Sequence, residues 1–486
     1  MGHDDARWVD ATGQAELIAS REARSTELVE AAIERIETLD GPINAVIMRW
    51  FERARAQAAA FDELPDNSPL RARPFAGVPF LLKDFNAHVA GLPLTNGNRA
   101  MRDAQPLSGH DSNLVVKFRE AGLITLGRTN SPELASVPVT EPVAYGPTRN
   151  PWSLDHTPGG SSGGAAAAVA AGMVPIAHAS DGGGSIRIPA SCTGLVGLKP
   201  SQGRSSMGPE RDESGLSTQL CVSRTVRDTA RMLDAVLGPG VGDTVIAPPP
   251  DRPYVEEVGA DPGRLRIGLL DTHPTGGFLH DDCVTAVRSA ATLLESLGHD
   301  VDVDHPAVLD DATFGRRFAA MWAALAGAGI ATLGTLVGRE LTEDDVEPLN
   351  WAQAQVARRL SAVDYALALG AVSQYRRAMH QWWDVDGWDL LLTPTLASPP
   401  LRIGELYEVG DDPNPLAASV RAGRFVTFTP PFNATGQPAI NVPLHWNADG
   451  LPIGIQLVAA YGREDVLLRV AGQLELAAPW ADRRPG

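Results

Sequence analysis

The sequence predicts an α/β protein. Along most of its 486 residues, a helix, a short apolar strand and a polar loop follow one another, which is typical of folds that bind ligands where strands end. Hydrophobic residues make up 44% and charged residues 21% of the chain. This balance fits a globular protein large enough for one large core or two to three domains. No internal repeat is evident, so we expect one large domain preceded by an arm.

The N-terminal arm, residues 1–64, is predicted to be helical. Apolar residues recur at helical spacing and predict two helices within residues 14–39, the second with Ser25 as its N-cap. A third helix, rich in alanine and arginine, is expected around residues 51–61. The proline-rich segment 65–74 follows as a linker.

The large domain, residues 65–486, is predicted to alternate strands with helices. Its residues 300–385 differ from the rest because they are mostly helical and rich in alanine and tryptophan, so we expect a cap on the substrate side there. The predicted strands are 77–83, 123–127, 265–271, 388–395, 440–443 and 454–458. The predicted helices outside the cap are 112–122, 165–171, 223–237, 282–297 and 465–476.

Composition excludes several classes of function. The net charge of −18 argues against binding nucleic acid or an anionic membrane in bulk. No signal peptide and no uninterrupted apolar stretch of about 20 residues is evident, so no transmembrane helix is expected. Cys192, Cys221 and Cys283 are widely spaced and match no disulfide framework. A cytoplasmic location is therefore expected.

Residues 158–199 contain two glycine- and serine-rich turns, 159–164 and 182–185, joined by a run of small apolar residues that predicts a buried helix. Glycines let backbone N–H groups point at one ligand atom, and a serine beside them can act as a nucleophile. Phosphate binding stays an alternative, although neither turn matches G-x-x-x-x-G-K-[ST] or G-x-G-x-x-G.

A serine nucleophile needs a base, and the sequence offers histidine or lysine. His156 and His178 flank the turns, but no G-x-S-x-G motif or histidine–acid motif accompanies them, which favours structural roles. Lys83 ends a strongly apolar strand, where burial would lower its pKa and leave it neutral near pH 7. Alternatively, it is a strand-end lysine that reaches solvent or pairs with Asp84. No His-Glu-x-x-His or His-x-His spacing occurs, so no metal site is predicted.

Three motifs, PGGSSGG, SDGGGSIRIPA and GLVGLKP, resemble the amidase signature family of serine hydrolases. Further blocks resemble the family in the right order, namely GVPFLLKD, AGLITLGRTNSPE, SRTVRD, DLLLTPT, PFNATGQPAINVP and GLPIGIQLV. The resemblance covers most of the chain and is weakest across residues 200–220 and 300–385. It implies the amidase signature fold, in which helices cover both faces of a large mixed β-sheet, and amide hydrolysis without a cofactor.

The resemblance also implies a catalytic triad. Lys83 corresponds to the family's base, Ser161 to a bridging serine preceded by a cis peptide bond, and Ser185 to the nucleophile. The two serines are 24 residues apart, as in the family pattern. The backbone N–H groups that would form the oxyanion hole belong to Gly182, Gly183, Gly184 and Ser185. The residues that would support the site are Gly160, Ser162, Asp181 and Arg187.

Two positions depart from the family pattern. Gly182 stands where the family often has a larger residue, a change that could widen the pocket or loosen the oxyanion loop. Cys192 stands one position before the family's usual cysteine and is expected to be a buried packing residue. Neither change affects the three catalytic positions.

Three segments are similar to stand-alone hydrolases of 6-aminohexanoate amides, including the cyclic dimer, and to bacterial aryl-acylamidases. They are TNSPELASVPVTEPVAYG, GRELTEDDVE and VAAYGREDVLLRVAGQLE. The expected activity is hydrolysis of C–N bonds in hydrophobic or oligomeric amides, with carbamates as further substrates. Two alternatives remain, a glutaminase-like subunit of an amidotransferase and a non-catalytic binding protein on the same fold. The expected partner is a small-molecule amide or carbamate, without nucleic acid or membrane, and a homodimer is allowed.

Five tryptophans lie in or beside the cap. They could line a tunnel for a hydrophobic substrate, but for each of them packing in the core or at an interface is the simpler interpretation. These residues are Trp322, Trp351, Trp382, Trp383 and Trp388.

Overall fold

A computed structural model describes residues 6–211, 215–410 and 412–486, and these residues form one eleven-stranded mixed sheet with its surrounding helices. The strands are β1 Val46–Arg49, β2 Pro79–Lys83, β3 Ile124–Thr129, β4 Ile176–Asp181, β5 Val196–Lys199, β6 Thr218–Ser223, β7 Arg266–Leu269, β8 Asp300–Asp302, β9 Leu390–Pro394, β10 Ala439–Trp446 and β11 Pro452–Ala459. The helices are α1 Ala11–Ala19, α2 Ser25–Ile43, α3 Phe51–Asp62, α4 Arg99–Ala104, α5 Asn113–Glu120, α6 Gly163–Ala170, α7 Arg187–Thr193, α8 Val226–Val236, α9 Asp281–Ser296, α10 Phe314–Val337, α11 Pro348–Ala357, α12 Ala362–Asp384, α13 Ala417–Phe425, α14 Pro430–Thr435 and α15 Glu464–Ala477.

The sheet places two strand ends beside each other. Strand β2 is parallel to both of its neighbours, β3 and β4, and Leu81 pairs with Ala177 across β2 and β4. Parallel neighbours end at the same edge of a sheet, where α/β proteins bind ligands. Lys83 and Asp181, the last residues of β2 and β4, therefore lie at one edge. The remaining strands extend the sheet through antiparallel and parallel pairs, and the predicted mixed sheet is confirmed.

The N-terminal arm is joined to the sheet more closely than the sequence indicated. Its three helices form, but β1 lies between α2 and α3 and pairs antiparallel with β3 at the sheet edge. Ile33 and Ile36 of α2 belong to the same hydrophobic core as the sheet. The prediction of Ser25 as an N-cap was wrong. Ser25 is the first helical residue, because its hydroxyl donates to Gly77 O at 2.8 Å instead of capping the helix.

The apolar runs predicted β2, β3, β7, β9, β10 and β11, but three central strands were missed. Strands β4, β5 and β6 lie beside the two serine turns. In β4, the polar residues His178, Ser180 and Asp181 are all buried. They interrupt the apolar pattern that would otherwise indicate a buried strand.

Residues 300–385, the segment predicted as a cap, contain β8 followed by α10, α11 and α12. By length and composition, α10 could cross a membrane, which the sequence analysis did not anticipate. A single such helix also occurs in the cores of soluble proteins. In this structure Met321, Ile330 and Leu333 of α10 are buried against neighbouring parts of the protein.

Candidate active site

Lys83 is completely buried at the end of β2. Its Nζ donates to Ser161 Oγ at 2.7 Å and to Ser180 Oγ at 2.9 Å. Burial lowers the pKa of Lys83 well below its usual value, and the negative charge of Asp181 opposes this shift only in part. The amine therefore favours its uncharged form, and it does not form an ion pair with Asp84.

The first serine turn packs against the segment of Val139 and is hydrogen-bonded to β4. The Gly160–Ser161 peptide bond is cis. A Cβ on Gly160 would lie 2.7 Å from backbone atoms of Val139, so only glycine fits there. The Ser162 hydroxyl, at the start of α6, donates to Ser180 O and accepts from Ser180 N, both at 3.3 Å. Ser162 thus fixes Ser161 relative to β4.

Ser185 lies in the second turn, between β4 and α7, and borders a large cavity. Within the described residues, the backbone N–H groups of Gly182, Gly183 and Ser185 have no hydrogen-bond partner. The N–H of Gly184 instead donates to Asp181 Oδ1 at 2.7 Å. Gly184 N–H is therefore already occupied, and three of the four predicted oxyanion donors are free to meet a substrate.

Asp181 and Arg187 form a fully buried ion pair, 3.0 Å apart, at the base of this turn. Asn433 Nδ2 donates to Asp181 Oδ1 at 2.8 Å, while Arg187 donates to Gln456 Oε1 at 2.7 Å and to Thr429 O at 3.1 Å. Burial alone would raise the pKa of Asp181, but Arg187 and Asn433 outweigh it and lower the pKa to about 2. The carboxylate stays ionised and holds the turn in place.

The cavity above Ser185 has a volume of about 690 Å³ and mainly apolar walls. Phe314, Phe318 and Trp322 occur every four residues on α10 and so form one stripe along its face. The Phe318 and Trp322 rings stack with centroids 5.4 Å apart, and Phe314 stacks on Tyr375 of α12 at 4.4 Å. A cavity of this size and character suits a large, mostly apolar ligand.

Trp322 is the one tryptophan of the five that lines this cavity within the described residues. It also lies beside Gly182, where a Cβ would be 3.8 Å from its ring and 3.0 Å from Ser217 Oγ. The small residue at position 182 therefore does not widen the pocket, because Trp322 and Ser217 fill that space. The other four do not line the cavity and pack in or against hydrophobic clusters, namely Trp351, Trp382, Trp383 and Trp388.

The two histidines near the turns have structural surroundings. His178 Nδ1 accepts from Lys83 N at 3.3 Å, and its Nε2 donates to Gln219 Oε1 at 3.0 Å. Burial and the neighbouring Lys83 lower the pKa of His178 to about 3. His156 bonds to Ser153 Oγ and not to Lys83, Ser161 or Ser185. Cys192 is fully buried, and burial raises the pKa of its thiol.

Residues 27–468 match the sequence model of the Amidase family. The chain belongs to the amidase family. The amidase is 43% identical to the 6-aminohexanoate-cyclic-dimer hydrolase of Paenarthrobacter ureafaciens, over 98% of this chain and 96% of that enzyme. A solved 6-aminohexanoate cyclic dimer hydrolase complexed with substrate is 42% identical, with a TM-score of 0.93 over 99% of both chains. A bacterial aryl acylamidase is 27% identical, with a TM-score of 0.86 over 98% of this chain and 97% of that one.

These similarities confirm the amidase signature fold and the family that the motifs predicted. The amidase is an amidohydrolase that acts on C–N bonds other than peptide bonds.

Sequence reasoning missed part of the amidase's hydrogen-bond network. Ser180 was not singled out, although it is the second partner of Lys83. Asn433 and Gln456 lie inside two of the quoted family blocks, PFNATGQPAINVP and GLPIGIQLV. The blocks were therefore a usable signal. However, nothing in them indicated that these amides bond to Asp181 and Arg187.

Proposed function

We propose that the enzyme hydrolyses hydrophobic or oligomeric amides, of the 6-aminohexanoate or aryl type, through a Ser185–Ser161–Lys83 triad and an acyl-enzyme. One observation carries the proposal. Buried Lys83, whose pKa is lowered, contacts Ser161 in the first glycine turn at 2.7 Å. Ser185, in the second glycine turn, borders an apolar cavity.

The first step would be a proton relay. Neutral Lys83 takes the proton of Ser161, and Ser161 takes the proton of Ser185 as Ser185 Oγ bonds to the carbonyl carbon. As the C–N bond breaks, Ser161 returns a proton to the leaving amine. Water then attacks the ester of Ser185 and gives a proton to the same relay, which returns it to Ser185 Oγ as the acid leaves.

The negative charge on the carbonyl oxygen would be stabilised by the unoccupied N–H groups of Gly182, Gly183 and Ser185. One such donor is worth roughly 3–4 kcal/mol in the transition state. Gly184 contributes indirectly, because its bond to Asp181 fixes the turn that carries the other donors.

The substrate class follows from the cavity and the relatives. Its apolar walls and volume of about 690 Å³ favour an extended or aromatic acyl group over a compact, polar amide such as glutamine. Similarity to enzymes named 6-aminohexanoate-cyclic-dimer hydrolase and aryl acylamidase supports the same class. Carbamates present a similar planar carbonyl and are proposed as secondary substrates.

A hydrolysis panel tests the substrate class. It contains an anilide, linear and cyclic 6-aminohexanoate oligomers, a carbamate and glutamine, each assayed for amine or ammonia release. We expect the oligomers and the anilide to give the highest kcat/KM. Ammonia release from glutamine alone would instead support the amidotransferase-subunit alternative.

Ser185→Ala tests the nucleophile. The variant should lose hydrolysis and labelling by a fluorophosphonate while it keeps the melting temperature of the wild type. Ser419→Ala is the matched control, because Ser419 borders the same cavity but lies outside the triad, and it should still be labelled. Turnover retained by Ser185→Ala would rule out the proposed triad.

We further expect a cytoplasmic enzyme that binds neither nucleic acid nor membranes and can form a homodimer. The net charge of −18 and the buried free thiols of Cys192, Cys221 and Cys283 support this setting. Light scattering after size-exclusion chromatography tests the oligomeric state.

A further inference from the structure

Three metal-binding side chains, His88, His110 and Glu210, meet on the surface away from the cavity. Their ligand atoms all lie within 4.8 Å of one another, and none of the three lines the cavity of Ser185. They come from segments separated by 22 and 100 residues, so no short motif could reveal them.

Backbone hydrogen bonds fix these three segments next to the cluster. Ser112 N donates to His88 O at 3.0 Å, and His88 N donates to Ser112 Oγ at 2.9 Å. Asn113 N donates to Gly208 O at 3.0 Å, two residues before Glu210. These bonds therefore hold the backbone segments of His88, His110 and Glu210 next to one another without a metal ion.

The two imidazoles are oriented towards a common point. His88 Nδ1 lies 3.0 Å from Ser108 Oγ, and its Nε2 lies 4.0 Å from Glu210 Oε1. His110 Nε2 contacts the same carboxylate oxygen, and the two rings stack with centroids 5.2 Å apart. A metal-binding histidine usually donates its second ring N–H to an oxygen acceptor, and the Ser108 hydroxyl is placed to accept from His88 Nδ1.

We propose that His88, His110 and Glu210 bind a divalent transition-metal ion of the Zn²⁺ type, with water as the fourth ligand. Two imidazoles and one carboxylate suit this class of ion. Bonds of about 2 Å in a tetrahedral site separate the ligand atoms by about 3.3 Å. The widest separation of ligand atoms must therefore close by about 1.5 Å at most, and the contacting pair His110 and Glu210 must open. His110, whose side chain is 47% exposed, is free to move that far and leaves the ion a path from solvent.

Phe85 lies between the proposed ion site and Lys83. Its ring centroid is 5.7 Å from Lys83 Nζ and 5.1 Å from Cζ of Arg211, the residue after Glu210. Binding of the ion should therefore stabilise the fold around Phe85 without supplying a group to the reaction.

Calorimetric titration of the full-length, tag-free and EDTA-treated enzyme with ZnCl₂ tests the proposal. We expect saturable binding of one ion per chain and a rise in melting temperature. His110→Ala and Glu210→Gln should each weaken binding by more than about 10-fold, and Ser108→Ala by about 10-fold, the effect of removing a group that orients a ligand.

His305→Ala is the matched control, because His305 also contacts a carboxylate, Asp310, at 2.9 Å but belongs to no cluster of three ligands in the described structure. It should bind Zn²⁺ as the wild type does. Amidase activity of His110→Ala in EDTA, equal to that of the wild type, shows that the variant is folded. The proposal is overturned if the wild type shows no saturable binding, or if His110→Ala and Glu210→Gln bind as tightly as the wild type.

Discussion

Asp181 and Lys83 are both buried, but Asp181 stays ionised while Lys83 favours its uncharged form. Asp181 remains ionised because Arg187 and Asn433 bond to it directly. Lys83 has two neutral hydroxyls as partners, so desolvation dominates and favours the uncharged amine. The apolar strand before Lys83 left two interpretations, burial or a strand-end lysine that reaches solvent or pairs with Asp84, and the structure shows a buried Lys83. The sequence could not indicate Ser180, because a serine inside a strand has no distinguishing pattern.

Activity should fall at acid pH as Lys83 takes up a proton and ceases to be a base. His178 cannot cause this loss near neutral pH, because its pKa is lowered to about 3. Ser180→Ala removes an oxygen that accepts from the lysine, so the acid limb of kcat/KM should move to lower pH. Profiles of wild type and variant measure the shift, and coincident limbs would contradict the role of Ser180.

Lys83→Met should lower kcat by at least about 10²-fold without loss of stability. Because the pKa of Lys83 is lowered on folding, the unfolded chain binds a proton that the folded chain does not. This group therefore costs stability below its unfolded pKa of about 10.5, increasingly so as pH falls towards the folded pKa. In urea unfolding, the free energy of unfolding of Lys83→Met relative to that of the wild type should be higher at pH 6 than at pH 9. An equal difference at both pH values would indicate that Lys83 is charged in the folded enzyme.

At the scale of elements, the turn between β4 and α7 depends on one backbone conformation. Gly184 has φ +126°, and a Cβ there would collide with Thr429 Oγ1. Thr429 Oγ1 also donates to Gly183 O at 2.7 Å, which fixes the turn from outside. The glycines were visible in the sequence, but the contact with Thr429 was not, because it joins residues 246 positions apart.

Gly184→Ala should lower the free energy of unfolding by at least about 2 kcal/mol, through backbone strain and the collision with Thr429. Gly183→Ala is the control, because its Cβ would meet Phe318 and Trp322 at ordinary distances of 3.6–3.7 Å. Its stability should stay within about 0.5 kcal/mol of the wild type. Chemical denaturation measures both variants, and equal losses would contradict this account of the turn.

At the scale of the whole molecule, two carboxylates join the segment predicted as a cap to the loop that follows β3. Glu133 Oε2 accepts from Glu347 N at 2.9 Å and from Asn350 Nδ2 at 2.8 Å. Glu347 Oε1 accepts from Val143 N at 2.8 Å. Burial and the nearby Glu133 raise the pKa of Glu347 to about 7. In the sequence these glutamates are indistinguishable from surface charges, so the junction could not be predicted.

Glu347→Gln should make the enzyme more stable than the wild type at alkaline pH. Because the folded pKa of Glu347 is raised, its stabilising contribution is full below about pH 4.5 and is lost as pH rises through about 7. The wild-type melting temperature should therefore fall relative to the variant between about pH 5 and pH 8. Glu343→Gln, an exposed position nearby, should follow the wild type. Parallel curves for wild type and Glu347→Gln would contradict the expected titration.

The buried pair of Asp181 and Arg187 also bears on when the enzyme becomes active during its synthesis. Thr429, Asn433 and Gln456 complete the bonds around this pair, and they are translated about 250 residues after it. A nascent chain that already carries Lys83, Ser161 and Ser185 therefore lacks the partners that hold the turn of Ser185 in place. We therefore expect hydrolytic activity to appear only when nearly the whole chain has left the ribosome.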